Sequence, residues 1–279
     1  MLRRWMIPLT TVVLAFGVMG LAGNASASVT HHAATQVRPA LPSSIRPGGV
    51  LHTLPGGIGR SSVRGIRGYT DEASSNWSGY AASGADGAFS SVSSSWTEPT
   101  GTCSGRSDDQ YAAFWVGLDG YSSDSVEQTG TLIWCDRGTA EYYGWYEMYP
   151  AALDEYSNTV KPGDAMTASV AFSGTDTYTL TLTDSTQDWT QKQVIDETGL
   201  DRSSAEVITE APCCTNSGGI LPLADFGTVN YGASDANGAS IASQSSLYNI
   251  IIENNSGESE DSTSAIASNG SFSNTWIRT

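Results

Sequence analysis

An antiparallel β-sandwich of two large sheets is the fold class this sequence predicts. Three observations carry the reading. Apolar residues alternate with small or polar ones at period two. Turn residues divide the chain into short runs. Charged residues make up only 15% of the chain, and no stretch shows the Glu-, Lys-, Ala- and Leu-rich pattern of a long surface helix.

The N-terminus comes first. Arg3 and Arg4 precede an apolar stretch from Trp5 to Ala22, and Ala25-Ser26-Ala27 supplies an A-x-A cleavage site. Residues 1–27 therefore read as a secretory signal peptide, with an uncleaved membrane anchor as the alternative. Residues 28–70 are rich in Pro, Gly, Arg and Ser, and Pro39, Pro42, Pro47 and Pro55 interrupt any regular element. They read as a basic, disordered pro-segment. Acids and tryptophans begin near Asp71, so residues 71–279 are expected to form the β-sandwich domain. No later segment is apolar enough to span a bilayer, so the cleaved product is expected to be secreted, off the membrane and monomeric.

Within that domain, Met166, Ala168, Val170 and Phe172 alternate along Ala165–Ser173, and Tyr178, Leu180 and Leu182 alternate with threonines along Thr177–Thr183. Period two with one apolar face means half-buried strands. Further strands are expected at Ser93–Thr97, Ala112–Leu118, Tyr142–Tyr149, Glu206–Glu210, Ser246–Glu253 and Ser271–Ile277. Lys161-Pro162-Gly163-Asp164, Gly174-Thr175-Asp176 and Asn237-Gly238 punctuate them as turns.

The charge distribution excludes several chemistries. All three histidines and seven arginines lie in the first 70 residues, which hold no acid. The remainder carries all 29 acids against six bases, a formal charge of −23. So acidic a domain is not built for nucleic acid, whose phosphates need clustered Lys and Arg. Without histidine it has no Ser-His-Asp triad, no Cys-His pair and no HExxH zinc site. Its acid–base groups are expected to be carboxylates, and no metal or cofactor is expected.

The four cysteines, Cys103, Cys135, Cys213 and Cys214, fit an exported chain and allow three pairings. The favoured one joins Cys103 to Cys135, at the ends of neighbouring expected strands. That leaves Cys213 and Cys214 as a vicinal bridge or a reduced pair.

Several carboxylates are candidates for chemistry. Period two puts Tyr143, Trp145, Glu147 and Tyr149 on one strand face, where the rings bind substrate and desolvation tunes the acid. Glu206 and Glu210 share a face about 13 Å apart along their strand. The plainer reading of that pair is two edge charges that discourage aggregation. Gln128 offers an amide that both donates to an oxyanion and accepts from water. Glu253–Asp261 reads as a solvated acidic hairpin, lacking the regular spacing of a calcium loop.

Seven segments in order make the chain from about Ser75 onward resemble the glutamic peptidases, or eqolisins. They are Ser75-Asn76-Trp77-Ser78-Gly79, Trp96-Thr97-Glu98-Pro99, Trp115-Val116-Gly117-Leu118-Asp119-Gly120, Gln128-Thr129-Gly130, Trp145-Tyr146-Glu147-Met148-Tyr149-Pro150, Ala205-Glu206-Val207-Ile208-Thr209-Glu210 and Ala224-Asp225-Phe226-Gly227. The resemblance implies a concanavalin-like sandwich and a Gln/Glu catalytic dyad at Gln128 and Glu206. It implies substrate binding by Trp77, Asp119, Trp145, Glu147 and Tyr149, polypeptide substrates, pepstatin insensitivity and a pro-segment that inhibits in cis. Glu127, Val207 and Tyr143 depart from the family pattern. A carbohydrate-binding sandwich, or a glycoside hydrolase working with two of Glu147, Glu206 and Glu210, would share the same aromatic and acidic composition.

Overall fold

The computed structural model describes residues 38–42, 45, 50–51, 68–103, 105, 109–213 and 219–279. The expected signal peptide and Cys214 lie outside the described residues. In chain order the strands are β1 (Thr70–Ser74), β2 (Trp77–Ser83), β3 (Ser91–Thr97), β4 (Gln110–Leu118), β5 (Val126–Asp136), β6 (Thr139–Tyr149), β7 (Asp154–Glu155), β8 (Ala165–Phe172) and β9 (Thr177–Asp184). They continue with β10 (Trp189–Asp196), β11 (Ser204–Glu210), β12 (Thr228–Tyr231), β13 (Asp235–Ala236), β14 (Ala239–Ser240), β15 (Leu247–Ile252), β16 (Asp261–Thr263) and β17 (Phe272–Trp276). One short 3₁₀ turn, Ile241–Ser243, interrupts them.

One sheet has eight strands in the order β1-β15-β2-β11-β4-β5-β6-β7, and the second has nine, with β10-β9-β8-β3-β12-β17-β16 as its main path. All pairs are antiparallel except β1 with β15. The expected antiparallel sandwich is therefore what forms. The alternation read in β8 and β9 is also present: Met166, Ala168, Val170, Tyr178, Leu180 and Leu182 are all buried between the sheets.

Cys103 and Cys135 are joined, which ties the far end of β5 to the chain after β3. Cys213 is also disulfide-bonded. β1 begins at Thr70, and Tyr69 just before it is buried edge-on against Tyr80, with ring centroids 5.5 Å apart.

The eight-stranded sheet buries both of its faces. One face packs on the second sheet. The other carries a second apolar cluster that includes Trp77, Trp115, Trp134, Tyr143 and Trp145. Ile45 is buried in that cluster, and Leu41, Val50 and Leu51 pack against it. These four residues fall within the stretch expected to be a disordered pro-segment. Its own composition builds no core, but a ready-made aromatic face gives its few aliphatic residues somewhere to bury.

Several carboxyl groups sit between the sheets. Glu98 accepts from the Thr131 hydroxyl at 2.6 Å and the Trp96 indole at 3.2 Å. Asp261, expected in a solvated hairpin, is fully buried and accepts from the Ser78 hydroxyl and from the Ile252 N–H at 2.9 Å. Neither oxygen of Glu127 has a hydrogen-bond partner of normal geometry. Burial is the main cause that pushes Glu98 up to about 8, Glu127 to about 9 and Asp261 to about 7.

These shifts fix the sign of the pH dependence. Each group is held protonated by the fold, so its stabilising contribution is fully present below the ordinary carboxylate range. It is lost as pH climbs towards the folded value, at up to about 1.4 kcal/mol per pH unit per group. The melting temperature is expected to be highest near about pH 4 and to fall steadily towards about pH 8. Asp261→Asn is expected to flatten the part of that fall below neutrality. Calorimetry across the range tests both, and a midpoint that stays level or rises above pH 4 would contradict them.

Candidate active site

The candidate residues lie on the face of the eight-stranded sheet that points away from the second sheet. Register assembles them. Glu147 of β6 pairs with Gln128 of β5, Gln128 with Gly117 of β4, Gly117 with Glu206 of β11, and Glu206 with Ala81 of β2. These five positions form one row across the sheet, with all side chains on the same face. Gln128 and Glu206 therefore flank Gly117 with about 10 Å between their Cα atoms, two strand spacings. Because Gly117 has no side chain, the edge of the Trp115 ring lies between the amide and the carboxyl, where a Cβ on Gly117 would be 2.8 Å from Trp115 Cζ3.

The neighbouring row is Trp145, Gly130, Trp115, Ile208 and Gly79, and the next is Tyr143, Leu132, Ala113, Glu210 and Trp77. Gly79 has φ +129°, and a Cβ there would lie 2.2 Å from the Val207 carbonyl oxygen. Only glycine lets β2 approach β11 that closely.

Each sequence-identified residue can now be placed. Gln128 is fully buried and donates from Nε2 to Glu147 Oε2 at 3.0 Å, so Glu147 fixes which way the amide faces. Glu206 is fully buried, and neither oxygen has a hydrogen-bond partner of normal geometry. Burial holds its carboxyl well above the ordinary range, and the charges of Asp119 and Glu127 add to that, while the nearby Ser204 hydroxyl works the other way. Trp77 and Trp145 line the same face, fully buried, and Tyr149 is half-buried at its rim.

Asp119 takes a different position from its companions. Its φ is +70°, and its carboxylate accepts from the Arg202 N–H at 2.6 Å, the Ser203 N–H at 2.7 Å and the Ser203 hydroxyl at 3.1 Å. The carboxylate clasps the turn from which β11 starts, and so reaches the site through the strand that carries Glu206. Glu206 and Glu210 are not edge charges: β11 lies between β2 and β4, and both acids are fully buried. Reading the sequence also missed Trp115. Its indole N–H donates to Glu210 Oε2 at 2.8 Å, and its ring meets Trp77 edge-on, centroids 5.0 Å apart.

The described residues between 38 and 51 lie over this face. The Tyr143 hydroxyl donates to the Pro39 carbonyl at 2.7 Å, and Asn76 Nδ2 donates to the Val50 carbonyl at 3.3 Å. The Leu51 N–H donates to the Gly120 carbonyl at 3.0 Å, and the Ile45 N–H donates to the Pro42 carbonyl at 3.0 Å, with Ile45 in the aromatic cluster. Among the described residues, no group of three or more His, Cys, Asp or Glu side chains is arranged to hold a metal ion.

A two-sheet sandwich with a glutamine and a glutamate flanking a glycine on a covered, aromatic-rich face defines a class of protein. The chain belongs to the Peptidase A4 family, whose sequence profile matches residues 75–276. Scytalidopepsin B from Scytalidium lignicola is 31% identical over 181 residues, a match that takes in 64% of this chain and 62% of that protein. This chain thus spans somewhat less than two thirds of that relative. The crystal structure of scytalido-glutamic peptidase with a transition-state-analogue inhibitor superposes with a TM-score of 0.61 at 26% identity, covering 73% of this chain and 98% of that one. Aspergilloglutamic peptidase from Aspergillus niger matches in fold, with a TM-score of 0.51 at 24% identity over 60% of this chain and 99% of that one.

The clasp gives a stability test. Asp119→Ala leaves two backbone N–H groups and a hydroxyl without their acceptor, and is expected to cost about 2–3 kcal/mol. Asp119→Asn keeps one acceptor oxygen and should cost roughly half as much. Urea unfolding of both proteins at one pH measures the difference, and equal stability to the parent would show that the clasp contributes nothing.

Proposed function

We propose that the protein is a secreted acid endopeptidase that hydrolyses peptide bonds with Gln128 and Glu206 as its dyad. The observation that carries this is the row in which the two side chains flank Gly117 on one face of the sheet. A substrate carbonyl seated over Gly117 would meet an amide on one side and a carboxyl on the other. Glu206, as carboxylate, takes a proton from the attacking water, then returns it to the leaving amine. Gln128 orients that water and donates to the tetrahedral oxyanion, with Glu147 holding the amide in place. Trp77, Trp145 and Tyr149 hold the polypeptide, and no metal takes part in these steps.

The second element of the proposal is that the pro-segment inhibits the enzyme in cis until it is removed. It is supported by Ile45 buried on the aromatic face, by the bonds from Tyr143 to Pro39 and from Asn76 to Val50, and by the bond from the Leu51 N–H to the Gly120 carbonyl. The cover also bears on the chemistry. Burial holds the Glu206 carboxyl well above the ordinary range, which disfavours the carboxylate that the proposed step uses. Removing the cover would readmit water to this face and so lower the proton affinity of Glu206.

The test is hydrolysis of denatured casein at about pH 3–4, below the ordinary range in which carboxylates are all ionised. Activity is expected there, insensitive to pepstatin. Gln128→Ala is expected to lose about 10²–10³ in rate, the cost of one oxyanion donor. Glu206→Gln should abolish hydrolysis with the melting temperature near the parent's, and its full chain should stay untrimmed in acid. Proteolysis by folded Glu206→Gln would assign the base to another acid.

A further inference from the structure

The mechanism above uses neither Trp115 nor Glu210, yet both are fully buried on the dyad's own face. Their geometry links them to the gap over Gly117. Glu210 pairs with Ala113, two residues before Trp115 on β4, and Gly117 lies two residues after it. The indole touches both ends of that span. Its Nε1 bonds Glu210 at 2.8 Å, while on the opposite edge Cζ3 would lie 2.8 Å from a Cβ placed on Gly117. The ring therefore runs lengthwise along β4, with its benzo edge over Gly117, between Gln128 and Glu206. On the flank, Gly130 opposes Trp115 in register, and a Cβ there would lie 2.6 Å from Trp115 Cβ. Trp77 closes the side towards β2, edge-on at 5.0 Å.

We infer that Glu210 is a positioning residue for the dyad, holding Trp115 along β4 as the floor of the gap between Gln128 and Glu206. The inference rests on the dyad reading and adds to it. The indole sets how deeply a scissile peptide can sink between the amide and the carboxyl. The Glu210 acceptor fixes the ring against rotation, because an indole N–H buried without an acceptor is costly and a ring with its N–H satisfied has one orientation. Misplacing the floor by a fraction of an ångström alters the approach of the reacting groups while leaving remote substrate contacts intact.

Steady-state kinetics on a peptide substrate, with the full chain incubated in acid, test this. Glu210→Ala is expected to lower kcat about 10- to 100-fold with KM little changed. Glu210→Gln, whose amide oxygen still accepts from the indole, should recover most of that loss. Trp115→Phe should lose a similar amount, and adding Glu210→Ala to it should cost almost nothing more. Near-ultraviolet circular dichroism supplies a readout independent of turnover. The Trp115 band, taken as the difference between parent and Trp115→Phe, should collapse in Glu210→Ala and persist in Glu210→Gln. Melting curves at the same pH establish that each variant is folded. Equal losses from Glu210→Ala with and without the indole, or an intact Trp115 band in that variant, would overturn the positioning role with the dyad still standing. An active Glu206→Gln protein would instead overturn the dyad.

Discussion

The site depends on strand register. Gln128, Gly117 and Glu206 come from three separate strands, and each faces the same way only because β5, β4 and β11 pair as they do. A slip of one residue in any of these ladders would turn a side chain to the other face and destroy the row. What fixes the register is the opposite face of the same strands. Phe114, Val116, Leu118, Ile133 and Val207 are all buried against the second sheet, and no shifted pairing buries them equally. The hydrophobic core thus positions the polar groups without touching them. Asp119 adds a local restraint by fixing the turn into β11, and the Cys103–Cys135 bond anchors β5 at its far end.

Glycine is used in the same framework as deliberately placed absence. At Gly79 it lets two backbones approach, and at Gly117 and Gly130 it clears space on either side of one tryptophan. The aromatic groups fill what the glycines leave. The face is a surface of large rings, and between the two polar groups it carries the edge of the Trp115 indole where a side chain on Gly117 would stand.

Much of the fold was legible in the sequence, for a physical reason. β8 and β9 bury one face and wet the other, so their composition alternates and period two reads them directly. β5 shows no alternation because ten of its eleven residues are buried, and unlike the equally buried β4 and β11 it was not read as a strand. β2 has the same property and contains Gly79 as well. β10 fails in the opposite way: it is a polar edge whose inward residues are only half-buried. The site was less legible than the fold. Gln128 and Glu206 emerged from ordered motifs, since nothing local marks a row that register assembles from distant strands. Glu210 looked like an edge charge because its partner, Trp115, sits in an uninterrupted buried run. Ile45 and Leu51 pack on the face of the domain, and nothing in their own sequence neighbours marks that contact.

The carboxyl groups between the sheets make folding a proton-binding reaction. Glu98, Glu127 and Asp261 each enter the core carrying a hydrogen that the unfolded chain gives up well below neutrality. Protons therefore act on this fold as a tightly held ligand acts on a holoprotein, by mass action on the native state alone. An acidic surrounding supplies that ligand in excess, and a neutral one withdraws it. The heat of unfolding should consequently depend on the ionisation enthalpy of the buffer, since each molecule that unfolds near neutrality hands its protons to the solution.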